Sequence, residues 1–539
     1  MSVFKVDNAV ILAAGTGSRL APITYSIPKG LVPVKGEPLL ERQIQQVKER
    51  GITEIVIVTG HLREKFDYLT DKFGVKIVFN PEYAVKNNLS SLYRARDHLK
   101  NSYILCADNW LGENIFNATE EKSWYSCVYK SGDTSEWCVT ADAGGRIGGV
   151  TVGGRDSWAM YGPAFLSETF TGKFADKIEE YYQKPGKENY MWENVFIDEM
   201  DSFDLYINKQ SGDVVYEIES LEELRAFDPD YRAAAPNAQI ETIEKVFGVR
   251  ESEIAGIKNI KTGMTNRSFS FSVKGKGETA YIYRLAGEGS EKLINRKGEK
   301  EAYMAVKKLG ISDEIIHFDV DAGSKISVFY KDAANISARN RADLEDAMSI
   351  LRGVHRSGIK VGGSFDIGGE IFRYLLLCRE RNVVHFSGSE KLYEKMKRLA
   401  AFVESQNIPK VLCHVDSNPD NFIRLADGSL KLLDWEYAGM CDPVIDVSMY
   451  SIYSSYSKAE TEELLEIYLQ RQPDSKEFAR LYAYAALGGY LWAVWAEYKQ
   501  SFGVEFDGYI TKMYRYARDF YDALEGFLPG GKEATPNER

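Results

Sequence analysis

The chain has 539 residues, with 67 basic against 79 acidic side chains and a formal charge of −12. That length exceeds one ordinary core and predicts two or more domains. The acidic balance excludes nucleic acid as a main partner, and no apolar run reaches the roughly 18 residues that span a bilayer.

The first apolar run, Ala9 to Ala14, reads as a short strand that ends in glycines rather than as a leader. A helix is expected over Pro38 to Arg50, a β-branched strand over Ile52 to Thr59, and a helix over His61 to Phe73. A strand over Val75 to Phe79, a helix over Ser90 to Leu99 and a strand over Tyr103 to Ala107 follow. This alternation predicts an α/β fold with a parallel, doubly wound sheet, whose ligands bind beyond the carboxyl ends of the strands. Phe227 to Gln239 carries two prolines and little periodicity, which places the domain boundary there, with a first domain over 1–228 and a linker over 229–239. A second domain over 240–528 opens with a glycine turn at Gly263. Strands over Arg267 to Val273 and Ala280 to Leu285 follow, then a helix from about Lys297 to Leu309, a strand over Lys325 to Tyr330 and mostly helix after that. Residues 529–539 read as a disordered tail. Cys106, Cys127, Cys138, Cys378, Cys413 and Cys441 form no CxxC pair and are expected as buried free thiols, which fits a cytoplasmic protein.

The first strand runs into Leu12-Ala-Ala14-Gly15-Thr-Gly17-Ser-Arg19-Leu20. A glycine turn there lets backbone amides approach a phosphate chain. Leu20 stands where a dinucleotide fingerprint needs its third glycine, so a Rossmann dehydrogenase is disfavoured. Asp108 ends an apolar strand and is a candidate Mg²⁺ ligand. Together with Pro28-Lys29, Pro33-Val34 and Pro38-Leu39-Leu40, the string resembles the sugar-phosphate and alcohol-phosphate nucleotidyltransferases. Among these it is most similar to the bacterial CTP:phosphocholine cytidylyltransferases, through about residue 225. The resemblance implies that Leu12, Ala14, Gly15 and Gly17 hold the nucleotide, that Arg19 and Lys29 stabilise charge around the α-phosphorus, and that Glu219, in Tyr216-Glu-Ile-Glu219-Ser, is the second metal carboxylate where the family has Asp. It also implies that Trp137, Tyr190, Trp192 and Glu193 bind a trimethylammonium, which ring faces and a nearby negative charge suit best.

The second domain carries His414-Val-Asp416-Ser-Asn-Pro-Asp-Asn421, and then Leu433-Asp434-Trp435-Glu436. Kinase-type transfer needs a carboxylate at the substrate hydroxyl, an amide oxygen on one metal and a second carboxylate on the metals. Asp416, Asn421 and Asp434 fill those roles. From about residue 245 to 515 the chain resembles the choline kinases, which share the bilobal protein-kinase-like fold. That resemblance makes Thr265 and Asn266 part of a nucleotide-covering turn and Arg284 the strand cation, with Glu299 or Glu301 as its partner. It makes Trp492 and Trp495, which share one helix face, the walls of a choline box, and Asp446 a support of the catalytic loop. His355 is expected to be structural.

Both resemblances imply one small molecule: choline phosphorylated with ATP, and phosphocholine then activated with CTP, with Mg²⁺ in each site. Alternatives are the same reactions on ethanolamine or on an aminophosphonate, or a choline-binding protein with one inactive domain.

Overall fold

A computed structural model describes residues 3–260, 267–504, 506 and 508–524. It divides the chain into two compact units, Met1–Asn259 and Ile260–Arg539.

In the first unit, β1 (Asn8–Ala13), β2 (Glu54–Thr59), β3 (Lys76–Phe79) and β4 (Ser102–Cys106) pair in parallel, with Leu12 level with Val58 on one side and Cys106 on the other. The expected doubly wound pattern holds for these four strands. It gives way beyond β4, where two long strands, β5 (Trp124–Ala141) and β6 (Ile147–Leu166), form an antiparallel hairpin. β6 pairs antiparallel with β4, and β7 (Tyr206–Gln210) pairs in parallel with β5. The sheet order is β7-β5-β6-β4-β1-β2-β3. The strand β1 is buried at every position, as the central strand of a sheet covered on both faces must be. One face packs against α1 (Leu39–Glu49) through Ile44 and Val47, and the other against α2 (Asn88–Ala95) through Leu89 and Leu92.

The prolines at Phe227 to Gln239 do not end the first unit. Glu251, buried at 8% exposure, accepts from Arg225 Nε at 2.9 Å, from Arg232 Nε at 3.1 Å and from the Tyr231 hydroxyl. Arg232 also makes a two-pronged pair with Glu244, both contacts at 3.0 Å. These contacts hold the helix Ala238–Phe247 and the turn after it in the first unit.

In the second unit, β8 (Arg267–Val273), β9 (Ala280–Leu285), β11 (Ser324–Phe329) and β10 (Ile315–Asp319) pair antiparallel in that spatial order. The helix α3 (Arg296–Val306) follows β9. The segment around Asp416 and Asp434 lies among short strands rather than in the helical run expected after β11: Val411–Cys413 pairs with Gly439–Cys441, and Phe422–Arg424 with Leu430–Leu432. Behind them stand α4 (Val444–Tyr453) and the 26-residue α5 (Ser475–Gln500), the latter buried along most of its length. All six cysteines are free, and all but the half-buried Cys106 are buried.

A first-unit fragment ending at Asn259 should fold and keep its melting temperature. One ending at Gln239 loses Glu251 and strands Arg225 and Tyr231, a cost of about 3 kcal/mol, and should melt several degrees lower by calorimetry. Equal melting of the two fragments would show that the Glu251 network contributes nothing.

Candidate active sites

Gly17 is left-handed, with φ +58°, and a Cβ there would lie 2.8 Å from Thr24 Cγ2 and 2.9 Å from Lys29 Cβ. Only glycine satisfies both limits. A Cβ on Gly30 would meet the Ala107 Cβ at 2.8 Å, so the Lys29 turn presses against the end of β4. That contact puts Lys29 Nζ 2.7 Å from Asp108 Oδ2. Burial works to lower the Lys29 pKa, but Asp108, with Glu217 and Glu219 behind it, outweighs burial and holds the ammonium above its ordinary value. Arg19, far more exposed, pairs with Glu219 at 2.5 Å. Leu12 and Ala14 are buried beneath the turn: Leu12 accepts from Ala107 N and Ala14 from His61 N, each at 3.1 Å.

Glu217 joins these predicted residues. Its strand, Val215–Glu217, pairs with Asn109–Leu111 and sets Glu217 level with Asn109. Burial and then Asp108 raise its carboxyl to about 8, while Lys29 pulls the other way. The second oxygen of Asp108, Oδ1, is buried with no hydrogen-bond partner. Asp108 thus keeps one buried oxygen free beside Lys29, and a carboxylate oxygen at a strand end suits a hard divalent cation.

Trp137 is half-buried on β5, and the Tyr190 hydroxyl lies by Lys187 and 3.3 Å from Asp198. Trp192 is 1% exposed, stacked on Tyr125 at 5.7 Å with its edge to Phe174 at 6.0 Å. Glu193 accepts from the Tyr125 hydroxyl at 3.0 Å, and its Oε2 and the Trp192 Nε1 are buried without partners. Burial raises Glu193 to about 7, with a further push from Asp108.

In the second unit, Asn421 Nδ2 donates to Asp416 Oδ2 at 3.1 Å and to its carbonyl at 2.9 Å. Burial first, then Asp434 and Glu436, push the Asp416 carboxyl well above the carboxylate range, against hydrogen bonds from Tyr453 and Asn421. A carboxyl so placed is a stronger proton acceptor than a free aspartate. Asp446 supports this loop: it accepts from His414 N at 2.9 Å and Val415 N at 2.6 Å, and lies 2.9 Å from His355 Nε2.

Asp434 carries an ion pair from Arg284, whose other branch reaches Glu436 at 2.7 Å. Burial would raise the Asp434 pKa, but Arg284 and Lys325 hold it near 2. Of the two helix carboxylates left open by the sequence as partners of Arg284, Glu299 points into this cluster, while Glu301 accepts from Gly362 N. Yet Glu299 makes its ion pairs with Arg296 and Lys325, not with Arg284. Arg296, Lys325 and Glu436 were given no role by the sequence reading. The oxygens of Glu299, Asp434 and Glu436 lie close enough to share a cation. Thr265 and Asn266 lie outside the described residues.

Trp492 and Trp495 are neighbours at 6.0 Å, edge to face. Tyr437 meets Trp492 at 5.1 Å, and Tyr453 meets the same tryptophan at 5.9 Å. Tyr453 is the residue bonded to Asp416, so the aromatic cluster adjoins that carboxylate.

Lys29→Met should lower kcat/KM for nucleotidyl transfer by about 10²–10³-fold through lost charge stabilisation, with phosphoryl transfer by the same chain unchanged. Steady-state assays of both activities on one preparation check this.

Residues 9–108 match the family of MobA-like NTP transferase domains, and residues 256–484 match the phosphotransferase enzyme family. A choline-phosphate cytidylyltransferase of Streptococcus pneumoniae is 37% identical over 41% of this chain and 96% of its own length. A 2-aminoethylphosphonate cytidylyltransferase of Lancefieldella rimae is 36% identical over 42% of this chain and 93% of its own. The crystal structure of choline kinase LicA from Streptococcus pneumoniae is 26% identical, with a TM-score of 0.46, over 53% of this chain and all of that one. The chain is an enzyme of two parts, belonging through its first unit to the bacterial cytidylyltransferases among the MobA-like nucleotidyltransferases and carrying in its second a phosphotransferase-family kinase domain.

Proposed function

We propose that the chain converts choline to CDP-choline in two steps. In the second unit the choline hydroxyl oxygen attacks the γ-phosphorus of ATP, ADP leaves, and Asp416 takes the hydroxyl proton. In the first unit a phosphocholine oxygen attacks the α-phosphorus of CTP and pyrophosphate leaves. Lys29 and Arg19 are placed to balance charge gathering on the phosphates, which is the main demand of either reaction. Asp108 and Glu219 would hold Mg²⁺ in the first site, and Asn421 and Asp434 in the second, where the ion would neutralise phosphate charge.

The observation that carries the reading is the contact between the aromatic cluster and Asp416. A trimethylammonium offers no N–H, so rings are its best partners; Tyr453 bonds to Asp416, its ring meets Trp492, and Trp492 in turn meets Tyr437 and Trp495. The relatives named for phosphocholine and for aminoethylphosphonate are 37% and 36% identical and do not choose between acceptors. Chemistry favours the phosphate ester: a kinase step makes a P–O bond, never the C–P bond of a phosphonate. The unpartnered Glu193 Oε2 suits a primary ammonium, and it supports ethanolamine as the second reading.

With ATP and CTP supplied, choline should be turned into its CDP derivative faster than ethanolamine, and CTP with aminoethylphosphonate alone should give little product. Preference for ethanolamine, or for the phosphonate, would overturn the choline reading. Trp495→Leu should raise KM for choline about ten-fold through loss of one ring, Trp495→Phe much less.

Glu193 gives a second check. Its carboxyl titrates at about 7, so it is neutral below that pH and charged above. KM for phosphocholine should rise as pH falls from 8 to 6, and it should rise less steeply in Glu193→Gln, whose KM should be higher than the wild type's at pH 8.

A further inference from the structure

Lys325 is a buried ammonium with no part in the transfer described above. It stands on β11 directly opposite Arg284 on β9, at 6% exposure. Two cations facing each other across antiparallel strands repel, and burial sharpens the repulsion. Carboxylates hold them there. Lys325 Nζ lies 3.3 Å from Glu299 Oε1, 3.9 Å from Asp434 Oδ1 and 2.6 Å from the Tyr303 hydroxyl. Arg296 takes the other oxygen of Glu299 at 2.6 Å and reaches Glu436 at 3.3 Å. Arg284 binds Asp434 and Glu436. Among the described residues the cluster therefore balances: Arg284, Arg296 and Lys325 against Glu299, Asp434 and Glu436.

Balance matters because Arg284 must do two things. As the structure stands, it is tied to the carboxylates of Asp434 and Glu436. For phosphoryl transfer it must give hydrogen bonds to nucleotide phosphates, which needs those carboxylates to accept its departure. Glu436 keeps Arg296, and Asp434 keeps Lys325. Without Lys325, three buried carboxylates would face two arginines, and releasing Arg284 would strand a buried charge.

We infer that Lys325 is a positioning residue of the kinase site: it holds Glu299 and shares Asp434, so that Arg284 is free to bind the nucleotide phosphates. This rests on the kinase reading of the second unit, but not on which alcohol is phosphorylated. Lys325 does for the helix carboxylate what the strand cation was expected to do, and the two tasks of one cation are divided between neighbours on adjacent strands.

The test is ADP binding to the full-length chain by calorimetry, without metal and without an alcohol acceptor. Lys325→Met should weaken ADP binding about ten-fold or more, and Lys325→Arg should restore most of it. The double variant Lys325→Met with Glu299→Gln removes the surplus negative charge and should recover affinity; a lysine that only fastened the helix would show no recovery. If Lys325→Met does not fold, Glu299→Gln alone decides. That change leaves a surplus cation and should tighten ADP binding about three-fold or more. Unchanged ADP affinity in these variants overturns the inference while leaving the kinase reading in place. A wild-type chain that does not bind ADP overturns both.

Discussion

Each unit gathers carboxylates at one point, and each does so only because a cation is fixed beside them. Asp108, Glu217 and Glu219 surround Lys29; Asp434, Glu436 and Glu299 surround Arg284, Arg296 and Lys325. Buried like charges cannot stay ionised without such partners, and the carboxyl titrations register the difference. Asp434, beside two cations, is held near 2, whereas Glu217, farther back, is lifted to about 8. In both units a largely buried cation is held by carboxylates rather than left alone.

The two units reach this arrangement by unrelated routes. In the first, the geometry comes from a parallel strand end and from glycines that permit close approach: Gly17 lets Lys29 and Thr24 close on the turn, and Gly30 lets that turn touch Ala107. In the second, it comes from cross-strand pairing and from one helix laid over a sheet. Fold and chemistry are thus separable, as unrelated scaffolds with related tasks require.

The parts legible in the sequence were those with local spacing. The glycine turn, the His-x-Asp-x₄-Asn run and the Asp-Trp-Glu segment each write several site residues within one short stretch. Strands over Arg267 to Val273 and Ala280 to Leu285 were also readable, because β-branched and aromatic residues crowd there. What was hidden came from pairing at a distance. Lys325 enters the site only because it lies across from Arg284, and Glu217 only because its strand lies beside Asn109. The hairpin of β5 and β6 was missed because its outer stretches alternate exposed and half-buried residues without a strong apolar signal. The linker looked loose from its prolines, yet Glu251 and its three partners hold it as part of the first unit.

Val415, one residue before Asp416, has φ +69°, a region that β-branched side chains avoid. Its amide and that of His414 are both held by Asp446, which belongs to α4 and is itself gripped by His355. The loop does not choose this shape; the helical core imposes it. The loop's geometry is therefore borrowed from the helix packed behind it, and a lesion that merely loosens the contact between α4 and its neighbours would silence the kinase while leaving its secondary structure intact.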